Sequence, residues 1–417
     1  MTAENGTLPH NPSLPGPPPA YCEKNMMNEN LKQALRGLMA REVEQSRTPG
    51  VSLLVLRKGE ELFFDARGYA DLERKIPLRR DHIFRLFSMT KPVTAVAAMI
   101  LAERGQLDLN MPVSEVLPGF ASPRVAAEDH TLPARRPVTV LHLLNMTSGL
   151  TYGEEDTPRG RQLQSYVDTC TQSLHTPGAV TTREFANALG QLPLAFEPDS
   201  SWCYGFSADV LGAVIEAVSG MRFGAFLEQN VFQPLNMNDT GFWVPDEAYS
   251  RLAAAYEPGE DGTLKRYTGD HLLISNKMDA PPRFESGGAG LVSTIDDYAR
   301  FAGMLLGGGS LEGVRILSPR TVAYLTSGEL TAPQQQAFRQ FGGHEGYTYT
   351  HLLRRLVHPG QACLMSRQEE YGWAGWLGCY FANLPDTGTT ILLMQQKKAA
   401  GTTSLTRRIR NLLSAEL

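Results

Sequence analysis

Apolar positions between Asn28 and Arg47 fall at Leu31, Leu35, Leu38, Met39 and Val43. Intervals of three and four predict an amphipathic helix with one buried face, which Pro49-Gly50 ends. The run Val51 to Leu56, a Lys58-Gly59 turn and Glu61 to Gly68 predict a strand hairpin. Val93 to Leu101 is small and apolar on every side and predicts a buried helix. Val138 to Met146 reads as a short helix closed by Thr147-Ser148-Gly149, whereas Tyr152 to Gly178 is polar and reads as a long loop. Val210, Leu211, Val214, Ile215 and Val218 share one face of a helix, with Ser207 as its N-cap and Gly220 as its stop. Thr294 caps another, with Asp297 completing a partial capping box and Tyr298, Phe301, Met304 and Leu305 as its buried face. Near the C-terminus, Tyr371 to Phe381 and Thr389 to Met394 predict a second hairpin, and Leu405 to Leu413 a last amphipathic helix.

Strands at both ends of a helical middle imply an α/β chain of the α+β type, with one antiparallel sheet built from the two termini. The expected division is a sheet domain from residues 25–85 and 285–417 and a mainly helical region over 86–284. Residues 1–24 read as a disordered proline-rich tail. No repeat is visible, and the glycine clusters Gly287-Gly288-Ala289-Gly290 and Gly307-Gly308-Gly309 read as turns, without a phosphate-binding continuation.

Composition narrows the picture. With 417 residues, 42% hydrophobic and 20% charged, the chain is long enough for a large core and has the balance of a globular protein. A formal net charge of −5 makes no electrostatic case for nucleic acid or an anionic membrane. No apolar run reaches the ~18 residues of a membrane span. Five widely spaced cysteines (Cys22, Cys170, Cys203, Cys363, Cys379) form no metal-type pair and lead to the expectation of reduced thiols in the cytoplasm. Neither a metal nor a cofactor is called for.

Candidate chemistry begins at Phe87-Ser88-Met89-Thr90-Lys91-Pro92. Pro92 fits a first helical turn, so Ser88 and Lys91, three apart, share a face at the positive end of the helix. A serine hydroxyl needs a base to become a nucleophile, and an amine beside it is one candidate. Tyr204, in Ser201-Trp202-Cys203-Tyr204-Gly205-Phe206-Ser207, precedes a helix start, where it lines a cleft and offers a phenol as a proton relay. Tyr371-Gly372-Trp373-Ala374-Gly375-Trp376-Leu377-Gly378 is a glycine- and aromatic-rich strand, a pattern that marks close approach of a ligand or another backbone. Tyr152, at the head of the long loop, is placed on the substrate side. There is no G-x-S-x-G elbow, and His344-Glu345 has no second histidine at the spacing of a zinc protease.

Ser-Met-Thr-Lys, the lone Tyr204 and Gly-Trp-Ala-Gly, in this order, resemble the serine β-lactamase-like superfamily, and most of all the class C-related esterases called family VIII carboxylesterases. Leu143-Leu144-Asn145-Met146-Thr147-Ser148-Gly149-Leu150 resembles the family's L-L-x-H-T-S-G-L segment, with Met146 in place of histidine. Gly287 to Thr294 resembles its glycine-rich turn before a helix. The resemblance implies the β-lactamase/transpeptidase-like fold, Ser88 as nucleophile, and Lys91 and Tyr204 as its acid–base partners. It also implies an oxyanion hole from the backbone N–H groups of Ser88 and Trp376, with Trp373-Ala374-Gly375 standing where the lactamases have Lys-Thr-Gly.

Two departures bear on substrate. Phe206 stands where class C lactamases have an amide-contacting asparagine, and Trp373 where they have a carboxylate-favouring lysine. Both exchange polar groups for apolar surface, which points to an apolar ester and little β-lactamase activity. The expected activity is thus carboxylic ester hydrolysis through acyl-Ser88, with a small-molecule ester as partner and Trp373, Ala374, Gly375, Phe206 and Tyr152 around it. A β-lactamase, a D-aminopeptidase or an acyltransferase on the same scaffold are the enzymatic alternatives. A non-catalytic scaffold protein is the alternative of another class. The sequence leaves oligomeric state and natural substrate open.

Overall fold

The computed structural model describes residues 27–416 apart from Asp129 and Glu154. The expected proline-rich tail, and Cys22 within it, lie outside the described residues.

An eight-stranded antiparallel sheet runs in the order Tyr347–Thr350, Leu353–Leu356, Tyr371–Ala374, Tyr380–Leu384, Thr389–Met394, Gly50–Arg57, Glu60–Asp71 and Ile76–Pro77. The two ends of the chain meet at its centre, where Ser52 pairs with Met394 and Arg57 with Thr389. Alternation along the central strand separates two cores. Val51, Leu53 and Val55 pack with Ile391 and Leu393 under the helices Glu29–Glu44 and Ser404–Glu416. Leu54, Leu392 and Met394 face the opposite core, shared with the helical middle of the chain. The first helix forms as its spacing predicts, with Asn28 accepting from the Leu31 N–H at its start.

The helical middle is organised by Thr90–Glu103, in which every residue from Thr90 to Leu101 is buried. It packs against Ser207–Ser219, which is equally buried over its first nine residues. That explains small side chains all round: a helix enclosed on all sides has no polar face to keep.

Several expectations need correction. Within Tyr152 to Gly178, Pro158–Ser173 is a helix, capped by the Thr157 side chain and burying Leu163, Val167 and Cys170. Its apolar stripe is only one residue wide, so polar composition masked it. Phe206, not Ser207, is the N-cap of the next helix, and the Ser207 hydroxyl pairs with that of Ser148 instead. Tyr371 to Phe381 is two strands joined by a turn. Among the described residues no single helix is long and apolar enough to cross a membrane.

Candidate active site

Ser88 lies in a single 3-10 turn, Phe87–Met89, that leads into Thr90–Glu103. Phe87 holds a positive φ of 46°, a strained conformation for a bulky residue, which turns the chain immediately before the hydroxyl. Its ring is held against Trp376 at 5.1 Å.

Lys91 is completely buried. Its Nζ donates to the Gly288 carbonyl at 2.8 Å and lies 3.2 Å from both the Ser88 Oγ and the Tyr152 hydroxyl. The ring of Tyr204 lies beside it, centroid 4.4 Å from Nζ. The Tyr204 hydroxyl accepts from the Trp373 indole N–H at 3.1 Å. The glycine turn therefore has a role that sequence alone did not supply: it aims a carbonyl at the amine. Asp209 fixes that turn, accepting from the Gly288 N–H at 3.1 Å and from the Ser286 hydroxyl. Burial pushes the Asp209 carboxyl up from its ordinary value, against the pull of the nearby Lys91 charge. An acid among the apolar residues of a helix's first turn was the available signal for it.

The two tyrosines meet edge to face at 5.7 Å because their loops touch. A Cβ on Gly205 would lie 2.4 Å from the Leu150 carbonyl, so only glycine lets the Tyr204 loop come this close. The Cys203 N–H donating to the Met146 carbonyl ties the same loop down. Met146 itself is buried and supports rather than lines the site.

The strand Tyr371–Ala374 supplies the opposite wall. Its outer neighbour pairs only with Tyr371 and Gly372, so the strand is unpaired on that side from Trp373 onward. A Cβ on Gly375 would lie 2.1 Å from the Leu86 carbonyl, and its absence lets the strand end press against the segment leading to Ser88. Among the described residues the N–H groups of Ser88 and Trp376 have no internal acceptor. Oriented amide donors left unpaired beside a hydroxyl suit a developing oxyanion.

These groups line one cavity of ≈ 1330 Å³, with Ser88, Tyr152, Tyr204, Trp373, Ala374, Gly375 and Trp376 in its wall. Phe206 does not line it. Contrary to expectation, it is 1% exposed and packs behind Tyr152 at 4.7 Å and against Phe185. As the N-cap of its helix, it directs its side chain into the core. Sequence reasoning also missed His271, which stacks on Trp376 at 4.2 Å, and His344, which stacks on Trp373 at 5.4 Å. Burial holds both imidazoles down at about 4.

A sheet from both termini, an enclosed helix that carries the lysine with the serine in the turn before it, and a site between the two define the β-lactamase/transpeptidase class of folds. The chain belongs to the Beta-lactamase family, whose model matches residues 31–415. It is 34% identical over 293 residues to Protein Rv1367c of Mycobacterium tuberculosis, covering 69% of each chain. It is 33% identical over 287 residues to Esterase EstB of Burkholderia gladioli, covering 65% of this chain and 69% of that one. Among solved structures it resembles EstCE1, described as a hydrolase with promiscuous acyltransferase activity, at a TM-score of 0.80 and 26% identity over 93% of this chain and 99% of that one.

Proposed function

We propose that the protein is a serine hydrolase that cleaves carboxylic esters through an acyl group on Ser88. The observation that carries this is the contact of the Lys91 amine with the Ser88 hydroxyl, in a cavity where two backbone N–H groups are free. The likeness to EstB and EstCE1 supports esters as the substrate class.

Ser88 Oγ attacks the ester carbonyl carbon while Lys91, in contact with it, receives the hydroxyl proton. The Ser88 and Trp376 N–H groups hold the oxyanion, each lowering the barrier by about 3 kcal/mol. Tyr204, with its oxygen already accepting from Trp373, keeps its proton free for the departing alkoxide. The proton on Lys91 returns by way of Tyr152, which touches the amine, to the Tyr204 oxygen, replacing the one given to the alkoxide. The C–O bond to the alcohol breaks, and water then attacks acyl-Ser88, releasing the acid and restoring the serine hydroxyl.

The test is hydrolysis of p-nitrophenyl butyrate beside nitrocefin, together with fluorophosphonate labelling of wild type and Ser88→Ala. Ester turnover, little nitrocefin turnover and labelling lost in Ser88→Ala are expected. Rapid nitrocefin turnover with an inert ester would overturn the choice of substrate, and equal labelling of both proteins would point to a non-catalytic homologue.

The likeness to EstCE1 supports acyl transfer as a second reading. At ≈ 1330 Å³ the cavity has room for an ester, and EstCE1's description as a hydrolase with promiscuous acyltransferase activity supports an alcohol in place of water. Added 1-butanol would then divert product from acid to butyl ester.

A further inference from the structure

Arg354 stands in the wall of the same cavity, behind Trp373, and is 1% exposed. Its Nη1 donates to the Thr402 hydroxyl at 3.2 Å, while Nε and Nη2 meet no hydrogen-bond acceptor. Among the described residues no carboxylate lies within ion-pair distance of it. Glu370 offers no relief: it is already bonded to Arg410, whose own positive charge acts on Arg354. What surrounds the guanidinium is aromatic, with its carbon 5.2 Å from the ring of Tyr347, 5.9 Å from Trp373 and 5.0 Å from Tyr380. Ring faces offset part of the desolvation of a buried cation, but they do not neutralise it.

A fixed guanidinium without a counter-charge, set in the wall of a substrate cavity, is an unfilled half of an ion pair. We propose that Arg354 and Thr402 form an anion subsite for a carboxylate borne by the ester substrate, at an end remote from the reacting carbonyl. Arginine offers Nη1–H, and Thr402, accepting from it, has its own proton left to donate. Together they present two donors to one carboxylate. The side of the strand unpaired from Trp373 onward connects this subsite to the oxyanion donors, so an extended substrate spans both. The loss of the lysine at Trp373 therefore does not make the site indifferent to charge, because a positive group enters from the neighbouring strand.

This inference rests on the ester-cleaving reading, and its test separates the two. Rates are compared for p-nitrophenyl butyrate and a series of mono-p-nitrophenyl esters of dicarboxylic acids, from glutarate to suberate. At one chain length at least, wild type should favour the carboxylate-bearing ester in kcat/KM by about tenfold or more. Arg354→Met should abolish that ratio, Thr402→Val should reduce it, and Arg354→Lys should retain part of it. A ratio near one throughout the series, or an equal ratio in wild type and Arg354→Met, would overturn the subsite. If neither ester type turns over, the ester-cleaving reading fails, and binding decides the subsite alone. Adipate should then raise the melting temperature of Ser88→Ala saturably, and fail to do so in Ser88→Ala/Arg354→Met. No shift in either, or the same shift in both, counts against it. Arg354→Lys controls for loss of folding in Arg354→Met.

Discussion

Trp373 donates its indole N–H to the hydroxyl of Tyr204 across 3.1 Å. The indole of the strand that walls the cavity is thus bound to a phenol in the same wall. An indole N–H is a donor only, so the Tyr204 oxygen accepts and its hydrogen points elsewhere. Trp373→Phe keeps a ring in the wall and removes this one bond. Its kcat toward p-nitrophenyl butyrate should fall about fivefold to tenfold, the value of a single neutral hydrogen bond. An unchanged kcat would reduce the contact to packing.

Lys91 touches the hydroxyl of Tyr152 and the ring of Tyr204, so the two phenols are not equivalent. With Tyr204 as the donor to the alcohol, Tyr204→Phe should slow acyl-enzyme formation by about a thousandfold or more, and Tyr152→Phe by about tenfold. Single-turnover release of p-nitrophenol gives both rates. The reverse order would exchange their roles.

Gly375 has no room for a methyl group, since a Cβ would lie 2.1 Å from the backbone oxygen of Leu86. Gly375→Ala must push the strand end away from Ser88 and carry the Trp376 N–H with it. A displacement of about 1 Å at such a donor costs roughly a hundredfold in rate. The expected loss in kcat/KM is of that order, with fluorophosphonate labelling slowed in parallel. Normal labelling would show that the Trp376 amide is not needed.

His271 should make the protein acid-sensitive. Burial holds the folded imidazole at about 4, below the ordinary value of 6.5, and Lys398 adds to the depression. Between those limits the unfolded chain takes up a proton that the folded chain refuses. Stability is fully present above pH 6.5 and is lost as pH falls toward 4. His271→Phe preserves the stack on Trp376 and removes the titration. Urea unfolding between pH 4.5 and 7 should show a slope shallower by at most about 1.4 kcal/mol per pH unit. Identical slopes would contradict it.

The central strands of the sheet, their supply by both termini and the buried central helix were legible from their apolar runs, whereas the outer strands Tyr347–Thr350 and Leu353–Leu356 were not, being four residues long with polar residues in each. Pro158–Ser173 was not, because its buried stripe of Leu163, Val167 and Cys170 is thin within a polar segment. The spacing of Ser88 and Lys91 placed them on one face, and the structure joins them. Phe206 could not be placed from its position in a motif, since the helix start sets the direction of its side chain. Nor was Tyr152's contact with Lys91 readable, because it joins residues 61 apart in sequence. Arg354 escaped notice because a pair of arginines in an apolar strand reads as surface charge until the cavity behind it is known.

The strand carrying Trp373 outruns its outer neighbour by the few residues that border the nucleophile. A stretched guest lying there would become the missing rung of the ladder, gripped by main chain rather than by fitted side chains. Such a grip is blind to branching along that stretch and demanding about posture, and it leaves the choice between guests to groups beyond the strand.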